Sequence, residues 1–233
     1  MSLDKIIVAL DVETKEEAIS IVKKLGDRIS YYKIGSVLFT SYGPSLIHEL
    51  KSLNKKVFLD LKYHDIPNTV ANAIKHAVKN KVDMITLHTC GGFNMLKEAV
   101  NVVENLDKSE HKPILLGVTV LTSMKTSDLK EVGVNRKVES QVKKLAIMSK
   151  AAGMNGFVCS AKEIKLIRRI AGPKAVIVVP GIRFADDDKG DQKRVATPSE
   201  AIKAGASYLV IGRSIIKAEN VGKVLDRIEK ELL

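Results

Sequence analysis

Three charged side chains, those of Asp60, Lys62 and Asp65, follow an apolar run in the sequence DLKYHDIPNT of residues 60–69. The pattern over residues 57–62 predicts a β-strand, and alternate strand residues point to the same side of a sheet, so we expect Asp60 and Lys62 to be neighbours. A carboxylate beside an ammonium keeps both ionised where water is scarce, and Asp65 would strengthen the hold of Lys62 on its proton. Lys62 is therefore a candidate proton donor, with a salt bridge that anchors a loop as the alternative.

Short β-branched apolar runs alternate with longer amphipathic segments about eight times along the chain, which predicts parallel strands joined by helices. Eight such units predict a closed (β/α)8 barrel, a single α/β TIM-barrel domain over residues 1–233. An open doubly wound sheet is the alternative, but DVETKEEA after the first strand lacks the glycine-rich turn of dinucleotide-binding folds. The predicted strands are residues 5–10, 31–35, 57–62, 84–88, 114–120, 156–159, 176–179 and 208–211. The predicted helices are residues 15–25, 44–53, 69–79, 94–106, 138–151, 161–170, 198–204 and 221–232.

The carboxyl ends of barrel strands meet at one mouth, where barrel enzymes carry their active sites. Asp11 follows the first predicted strand, Lys33 lies in the second, and Asp60 and Lys62 end the third. We therefore expect these four side chains to form a network of alternating charge at that mouth. Taken alone, Lys33 in YYKIG is more often a residue of a strand edge.

The last two strands carry groups suited to an anion. They end in VVPGIR and LVIGRSII, and a short helix is expected after the second. The backbone N–H groups of Gly181, Gly212 and Arg213, with the Arg213 guanidinium, predict a phosphate cradle, because barrels commonly bind phosphate after strands seven and eight. A helix-capping glycine beside a surface arginine is the alternative.

The polar sequence FADDDKGDQKRVATP of residues 184–198 is long for a simple connection. It predicts a lid that closes over bound phosphate, with Gln192 or Arg194 reaching inward. A solvated turn is the alternative.

Composition narrows the class of protein. Hydrophobic residues make up 45% of the sequence and charged residues 28%, which excludes wholesale disorder, and no apolar run approaches the roughly 18 residues of a membrane span. The first residues, MSLDKIIVAL, lack the features of a secretory signal, so we expect a cytoplasmic protein without membrane contact. Cys90 and Cys159 have no metal-like spacing, so we expect reduced thiols and do not favour catalytic ones.

A formal net charge of +11 requires a choice between nucleic acid and a small anionic substrate. Lysines are spread over every predicted helix, often beside Glu or Asp, instead of forming one basic stripe. Aromatic residues are only 4% and tryptophan is absent, so surfaces that stack bases are scarce. We therefore expect a small anionic substrate and no nucleic acid.

Together these segments resemble the orotidine 5'-monophosphate decarboxylase family along the whole chain. DLKYHDIPNT and GDQKRVATP are specific to that family, whereas the IGR element is shared by many phosphate-binding barrels. The segments that carry the resemblance are ALDV at 9–12, YKIG at 32–35, DLKYHDIPNT at 60–69, VTVLTS at 118–123, VPGIR at 179–183, GDQKRVATP at 190–198 and IGRSI at 211–215.

The resemblance implies catalytic roles. Asp60 would lie against the substrate carboxylate, Lys62 would protonate the ring carbon as carbon dioxide leaves, and Lys33 would complete the charge network. Asp65 and Thr69 would come from a partner subunit. An obligate homodimer with shared active sites is therefore implied.

The resemblance also implies the binding residues for orotidine 5'-monophosphate. Asp11 and Lys33 would hold the ribose, Thr122 the pyrimidine edge, and Gln192 with Arg213 the phosphate. The remaining substrate-binding residues would be Pro180, Gly181, Arg183 and Gly212. No cofactor and no metal are implied.

Other barrels compete with this reading. Sugar-phosphate lyases such as keto-gulonate phosphate decarboxylase and hexulose phosphate synthase also carry D-x-K on strand three, but they bind magnesium through a Glu-bearing second strand. Lys33 takes that place here and would repel a divalent cation. A metal epimerase would need paired ligands for His64 or His88, and His64 is better explained by packing in its loop. A catalytically silent nucleotide-binding barrel would have lost the lysines.

Overall fold

The computed structural model describes residues 3–184 and 196–232. Within them, eight parallel strands pair in sequence order, and the last strand pairs with the first to close a barrel. The predicted (β/α)8 barrel is therefore confirmed and the open sheet is wrong. The strands are β1 Ile6–Ala9, β2 Tyr31–Gly35, β3 Lys56–Tyr63, β4 Met84–His88, β5 Ile114–Val118, β6 Gly156–Val158, β7 Val176–Val179 and β8 Tyr208–Ile211.

Helices surround the barrel and connect the strands. They are α1 Lys15–Leu25, α2 Ser36–Tyr42, α3 Pro44–Ser52, α4 Pro67–Lys79, α5 Gly92–Glu104, α6 Thr126–Glu131, α7 Val138–Ala151, α8 Ile164–Ala171, α9 Pro198–Ala204, α10 Arg213–Ile216 and α11 Val221–Leu232. The short helix expected after the eighth strand is α10. Of the helices in the described ranges, none combines the length and the apolar character that a membrane crossing requires.

Two helices, α2 and α6, escaped the sequence analysis. The sequence SVLFTSY of α2 contains no charged residue, and the helix begins after Gly35 without a side-chain cap. Helix α6 has only six residues, too few to show a helical period. Helix α2 directly follows β2, and α6 lies in the connection after β5, so the positions of both depend on tertiary packing more than on local sequence.

Helix ends formed where the sequence carries capping residues. The Thr14 hydroxyl accepts a hydrogen bond from Glu17 N at 3.3 Å, and Gly26 ends α1 with a φ of 54°, a left-handed value that favours glycine. At α9, Thr197 and Glu200 cap one another, and the hydrogen bond from the Thr197 backbone lowers the pKa of Glu200.

Two apolar layers support the barrel. One lies between the strands and the helices, and the smaller one fills the barrel interior with side chains from seven strands. The interior side chains are Ile7, Ala9, Tyr31, Phe58, Met84, Leu116, Val178 and Val210. Because side chains alternate along a strand, the next interior positions towards the carboxyl ends lie just above this layer, where a site can form.

Candidate active site

A cavity of about 250 Å³ opens at the carboxyl ends of the strands. Ten of the thirteen predicted site residues line it: Asp11, Lys33, Asp60, Lys62, Thr122, Pro180, Gly181, Arg183, Gly212 and Arg213. The other three are Asp65 and Thr69, which lie outside the cavity, and Gln192, which falls outside the described residues with the rest of the predicted lid at 185–195. The sequence thus led to most of the residues that this cavity brings together.

Four of the lining residues form a continuous chain of alternating charge. Lys33 Nζ donates to Asp11 Oδ1 at 3.0 Å and lies 3.9 Å from Asp60 Oδ2. Lys62 Nζ donates to Asp60 Oδ1 at 2.9 Å. The side chains of Lys33 and Asp60 are only 12% and 16% exposed, and burying a charge is costly unless an opposite charge lies nearby. The chain of contacts supplies one to both.

The strand that carries Asp60 and Lys62 is irregular. Leu59 pairs with Ile85 and Tyr63 pairs with Leu87, so residues 60–62 of β3 face the single residue Thr86 of β4. Lys62 takes a φ of 50°, a left-handed value that costs a non-glycine residue about 1–2 kcal/mol. Plain strand alternation is therefore not what brings Lys62 beside Asp60, and that part of the sequence argument is corrected.

Thr86 holds this irregular segment from the neighbouring strand. Its hydroxyl accepts a hydrogen bond from Lys62 N at 2.8 Å and donates one to Asp60 Oδ1 at 3.0 Å. Thr86 is completely buried. Asp60 Oδ1 thus accepts from both Lys62 and Thr86, while Asp60 Oδ2 is the oxygen nearer Lys33.

Asp65 and Thr69 do not reach the charge network of their own chain. Both are exposed, with Asp65 in the loop after β3 and Thr69 in the first turn of α4. Asp65 Oδ1 accepts from Ile66 N at 2.7 Å, and in the described part of the chain no ion pair joins Asp65 to Lys62. The expectation that Asp65 holds the Lys62 proton is therefore not met within one subunit.

The opposite side of the cavity is built from tight turns and arginine. Gly181 has a φ of 75°, which favours glycine. A Cβ at Gly212 would lie 3.4 Å from both Ala9 Cβ and Asp11 Oδ2, so the turn after β8 packs closely on the end of β1. Arg213 begins α10 at the cavity wall. These residues are the predicted phosphate cradle.

Arg183 has a second partner besides the cavity. Its side chain is buried, and Nη1 donates to Ser214 Oγ at 3.3 Å. Its backbone N–H donates to Ala196 O at 3.1 Å, which connects the turn after β7 to the residues just before α9. Arg183 therefore joins the turn after β7 to α10.

Two histidines lie beside Lys62. The rings of His64 and His88 stack with centroids 5.6 Å apart, in keeping with the expectation that His64 packs. Burial lowers the pKa of His88, and His64 and Lys62 lower it further. In the described ranges, no three His, Cys, Asp or Glu side chains are grouped to hold a metal ion. Burial raises the pKa of the Cys159 thiol, so it is poorly suited to nucleophilic catalysis.

Comparison with known proteins identifies the family of this chain. A family model described as Orotidine 5'-phosphate decarboxylase / HUMPS family matches residues 4–228. The chain belongs to this family. The predicted resemblance to orotidine 5'-monophosphate decarboxylase is thereby confirmed at the level of the family.

Members of the decarboxylase family resemble the chain over nearly its full length. The orotidine 5'-phosphate decarboxylase of Carboxydothermus hydrogenoformans is 50% identical over 218 residues, which cover 93% of this chain and 91% of the relative. The protein of that name from Actinobacillus succinogenes is 46% identical over 228 residues, or 98% and 97% of the two chains. The crystal structure of orotidine 5'-phosphate decarboxylase from Lactobacillus acidophilus superposes with a TM-score of 0.86 at 35% identity, covering 98% of this chain and 99% of that one.

One member of the site in this decarboxylase-family chain was missed by sequence reasoning. Thr86 sits in MITLH, an apolar run typical of a buried strand, and a single threonine there is easily taken for a strand-forming residue. Its position two residues after Met84, which lies in the barrel interior, is the signal that places it above the interior layer.

Proposed function

We propose that this chain decarboxylates orotidine 5'-monophosphate to uridine 5'-monophosphate and carbon dioxide, the last step of de novo uridine monophosphate synthesis. The observation that carries the proposal is the alternating chain Asp11, Lys33, Asp60 and Lys62 at the cavity of a barrel that belongs to this family. Its two lysines and two carboxylates supply charge and a proton at the place where barrels perform chemistry.

Lys62 is the proton donor in this proposal. When the bond between the ring carbon and the carboxylate breaks, its electron pair stays on the carbon in the plane of the ring, where the π system cannot delocalise it well. Stabilisation must then be electrostatic, and a fixed ammonium provides it. Proton transfer from Lys62 Nζ forms the new carbon–hydrogen bond as carbon dioxide leaves.

Asp60 has two tasks in this proposal. It holds Lys62 Nζ at 2.9 Å, which keeps the ammonium positioned before substrate binds. It also lies against the substrate carboxylate, and the repulsion between the two negative charges is relieved when carbon dioxide leaves. Lys33, between Asp11 and Asp60, balances the charge of the network.

The far wall of the cavity binds the phosphate. We assign the phosphate to Arg213 with the turns at Pro180, Gly181 and Gly212, because a guanidinium and closely packed backbone suit a dianion. The phosphate binds away from the reacting carbon, and its binding energy helps to position the substrate for the transition state. The phosphate role predicted for Gln192 remains a prediction.

The remaining substrate contacts follow from the wall that each residue occupies. Asp11, two residues beyond β1, and Lys33, within β2, are assigned to the ribose. Thr122, in the loop after β5, is assigned to the pyrimidine edge. Arg183 lines the same cavity and is assigned to the phosphate side through its contact with Ser214.

Lys33 argues against the magnesium-dependent lyases of the wider family. Its ammonium lies 3.0 Å from Asp11 Oδ1 and 3.9 Å from Asp60 Oδ2, between the two carboxylates that a divalent cation would bridge. A cation placed there would meet a positive charge at short range. This geometry favours decarboxylation driven by the lysines.

We further propose a homodimer in which Asp65 and Thr69 enter the site of the partner. Large apolar side chains are exposed at the same end of the barrel as these residues, and one of them directly follows Asp65 in the sequence. They are Val37, Ile66 and Phe93, with exposures of 64%, 67% and 43%, after β2, β3 and β4. A second copy that covers these side chains would remove apolar surface from water and bring the exposed Asp65 towards a cavity.

The activity is tested by the loss of orotidine 5'-monophosphate ultraviolet absorbance in excess EDTA, with Lys62→Ala as the matched variant. Rapid loss with the native chain and a fall of at least about 10⁴-fold in kcat for the variant are expected, because both proton transfer and charge stabilisation disappear. No loss with the native chain, or loss abolished by EDTA, would contradict the proposal and favour the sugar-phosphate lyases.

Site sharing is tested by mixing two inactive variants, Lys62→Ala and Asp65→Asn. In a mixed dimer with shared sites, one site has both native residues, so random mixing should restore about a quarter of the native activity. Mixing after partial dissociation, with each variant alone as the control, gives the measurement. No recovery, in dimers shown by sedimentation to have exchanged subunits, would mean that each subunit acts alone.

A further inference from the structure

We infer that Thr86 is a positioning residue for the proposed decarboxylation: its hydroxyl fixes both the backbone of Lys62 and the carboxylate of Asp60. The inference rests on the proposed function for its catalytic consequence, but its geometric consequence can be measured independently. Thr86 acts through these two residues and is not assigned any contact with substrate.

The location of Thr86 calls for a reason. It follows Met84 by two residues on β4, and Met84 belongs to the apolar layer inside the barrel. A fully buried hydroxyl at the next interior position loses its hydration, so it must be hydrogen bonded within the protein. Both of its bonds go to the residues of the charge network, at 2.8 Å and 3.0 Å.

The hydroxyl satisfies a donor that the irregular strand would otherwise leave unpaired. Residues 60–62 face only Thr86 across the strand pair. The regular pattern of hydrogen bonds between strands therefore cannot pair every backbone N–H and C=O group there. The Thr86 hydroxyl accepts from Lys62 N, at the residue with a φ of 50°. It therefore supports the left-handed conformation from which the Lys62 side chain reaches Asp60.

The same hydroxyl sets the orientation of Asp60. Its one hydrogen goes to Asp60 Oδ1, which also accepts from Lys62 Nζ. With Oδ1 doubly engaged, Oδ2 is the oxygen left on the side of Lys33. Removing the hydroxyl would free the carboxylate to rotate and would leave Lys62 without a fixed partner.

Kinetics of three variants test the inference. Thr86→Val keeps the shape of the side chain and removes the hydroxyl, and we expect kcat for orotidine 5'-monophosphate to fall about 100-fold while KM changes less than about threefold. Thr86→Ser retains the hydroxyl and should restore kcat to within about fivefold of the native value. Thr89→Val is the control, because the hydroxyl of Thr89 is equally buried but donates to the Val118 carbonyl at 3.0 Å.

The outcomes are separable from stability and from the proposed function. A native kcat in Thr86→Val, or equal losses in Thr86→Val and Thr89→Val that follow their melting temperatures, would overturn the inference. A crystal structure of Thr86→Val gives a readout without substrate: we expect Lys62 Nζ to move from Asp60 by about 1 Å or more. An unchanged position of Lys62 Nζ in this crystal structure would overturn the inference. Inactivity of the native chain on orotidine 5'-monophosphate would refute only the proposed function, and the crystallographic test of the inference would still apply.

Discussion

Two Lys–Asp pairs stand at opposite ends of the barrel. At the cavity, Lys62 pairs with Asp60, and at the amino ends of the strands Lys51 of α3 pairs with Asp83, just before β4. The carboxylates are almost equally buried, with exposures of 16% and 13%. Burial and pairing therefore do not distinguish a site from a structural tie.

The partners of each carboxylate make the distinction. Asp83 Oδ2 accepts from Lys51 and from the backbone of Val57 at 2.6 Å, and His111 Nε2 lies 3.4 Å from its other oxygen. These contacts join α3, β3 and the segment before β5 around one carboxylate. The partners of Asp60 face a cavity instead, because both Lys33 and Lys62 line it. The Lys51–Asp83 pair therefore joins structural elements, whereas the Lys62–Asp60 pair lies in the cavity where the proposed reaction takes place.

Arginines repeat the contrast. Arg168 of α8 donates to four backbone carbonyls at distances of 2.6–3.0 Å, those of Gly172, Pro173, Ala175 and Gly205. It joins the two connecting segments that precede β7 and β8, at the amino ends of these strands. Arg213 lies beyond the carboxyl end of β8, where its side chain lines the cavity. The two guanidiniums lie on the same side of the barrel but at opposite ends.

The largest expected effect is the difference in kcat between the variants Lys62→Ala and Lys51→Ala. Lys62→Ala should lower kcat at least about 10⁴-fold with little change in the free energy of unfolding, because its side chain is already partly exposed. Lys51→Ala should lower the free energy of unfolding by about 1–3 kcal/mol, since it leaves the Asp83 carboxylate short of a partner, and should preserve kcat. Urea unfolding and initial rates at a temperature where both variants are folded provide the measurement. A tenfold or larger loss of kcat in Lys51→Ala would break the comparison.

A smaller effect is expected at the arginines. Arg213→Ala should lower kcat/KM for orotidine 5'-monophosphate by about 100-fold or more, as a charge-assisted contact to phosphate is lost. With orotidine, which lacks the phosphate, the native chain should be slow and the variant no slower. Arg168→Ala should show the opposite pattern, with a lower melting temperature and native kinetics. Equal native rates on orotidine and its phosphate would remove the phosphate argument.

The smallest effect concerns pH and His88 beside the cavity. Its pKa is lowered in the folded protein, so between that value and the unfolded pKa of about 6.5 the unfolded chain holds a proton that the folded one does not. Stability from the neutral imidazole is therefore complete above about pH 6.5 and declines as the pH falls below it. His88→Gln should show a smaller drop in melting temperature on acidification than the native chain, and exposed His76→Gln should not. The same dependence of melting temperature on pH in the native chain, His88→Gln and His76→Gln would reject this assignment.

The sequence was sufficient for the barrel because strand and helix patterns repeat locally. Residues 31–35, 84–88, 176–179 and 208–211 are strands as predicted. The rule that the carboxyl ends of barrel strands converge then predicts Asp11 and Lys33 beside Asp60. These parts depend on periodicity and topology, which a single sequence records.

Other features depend on contacts between distant residues and could not be read locally. The irregular pairing of β3 with β4 involves Thr86, 26 positions from Asp60, and no turn residue announces it. Nothing in the sequence assigns the left-handed conformation to Lys62. Helix α2 has no polar cap and no charge, so its existence depends on packing after Gly35. In the proposed dimer, the position of Asp65 relative to a cavity depends on a second chain.

The pairing of β1 with β8 determines when the site can form during synthesis of the chain. Asp11 is made before the other residues of the site, and the Gly212 turn that packs on it follows 201 residues later. The contact between them closes a loop of that length, so it cannot form until β8 has been made. A nascent chain released before that strand would carry all four charged residues of the network with no finished wall opposite them. The turn after β8 is therefore the last part of the site to be synthesised, and a chain that stops before it lacks the complete site.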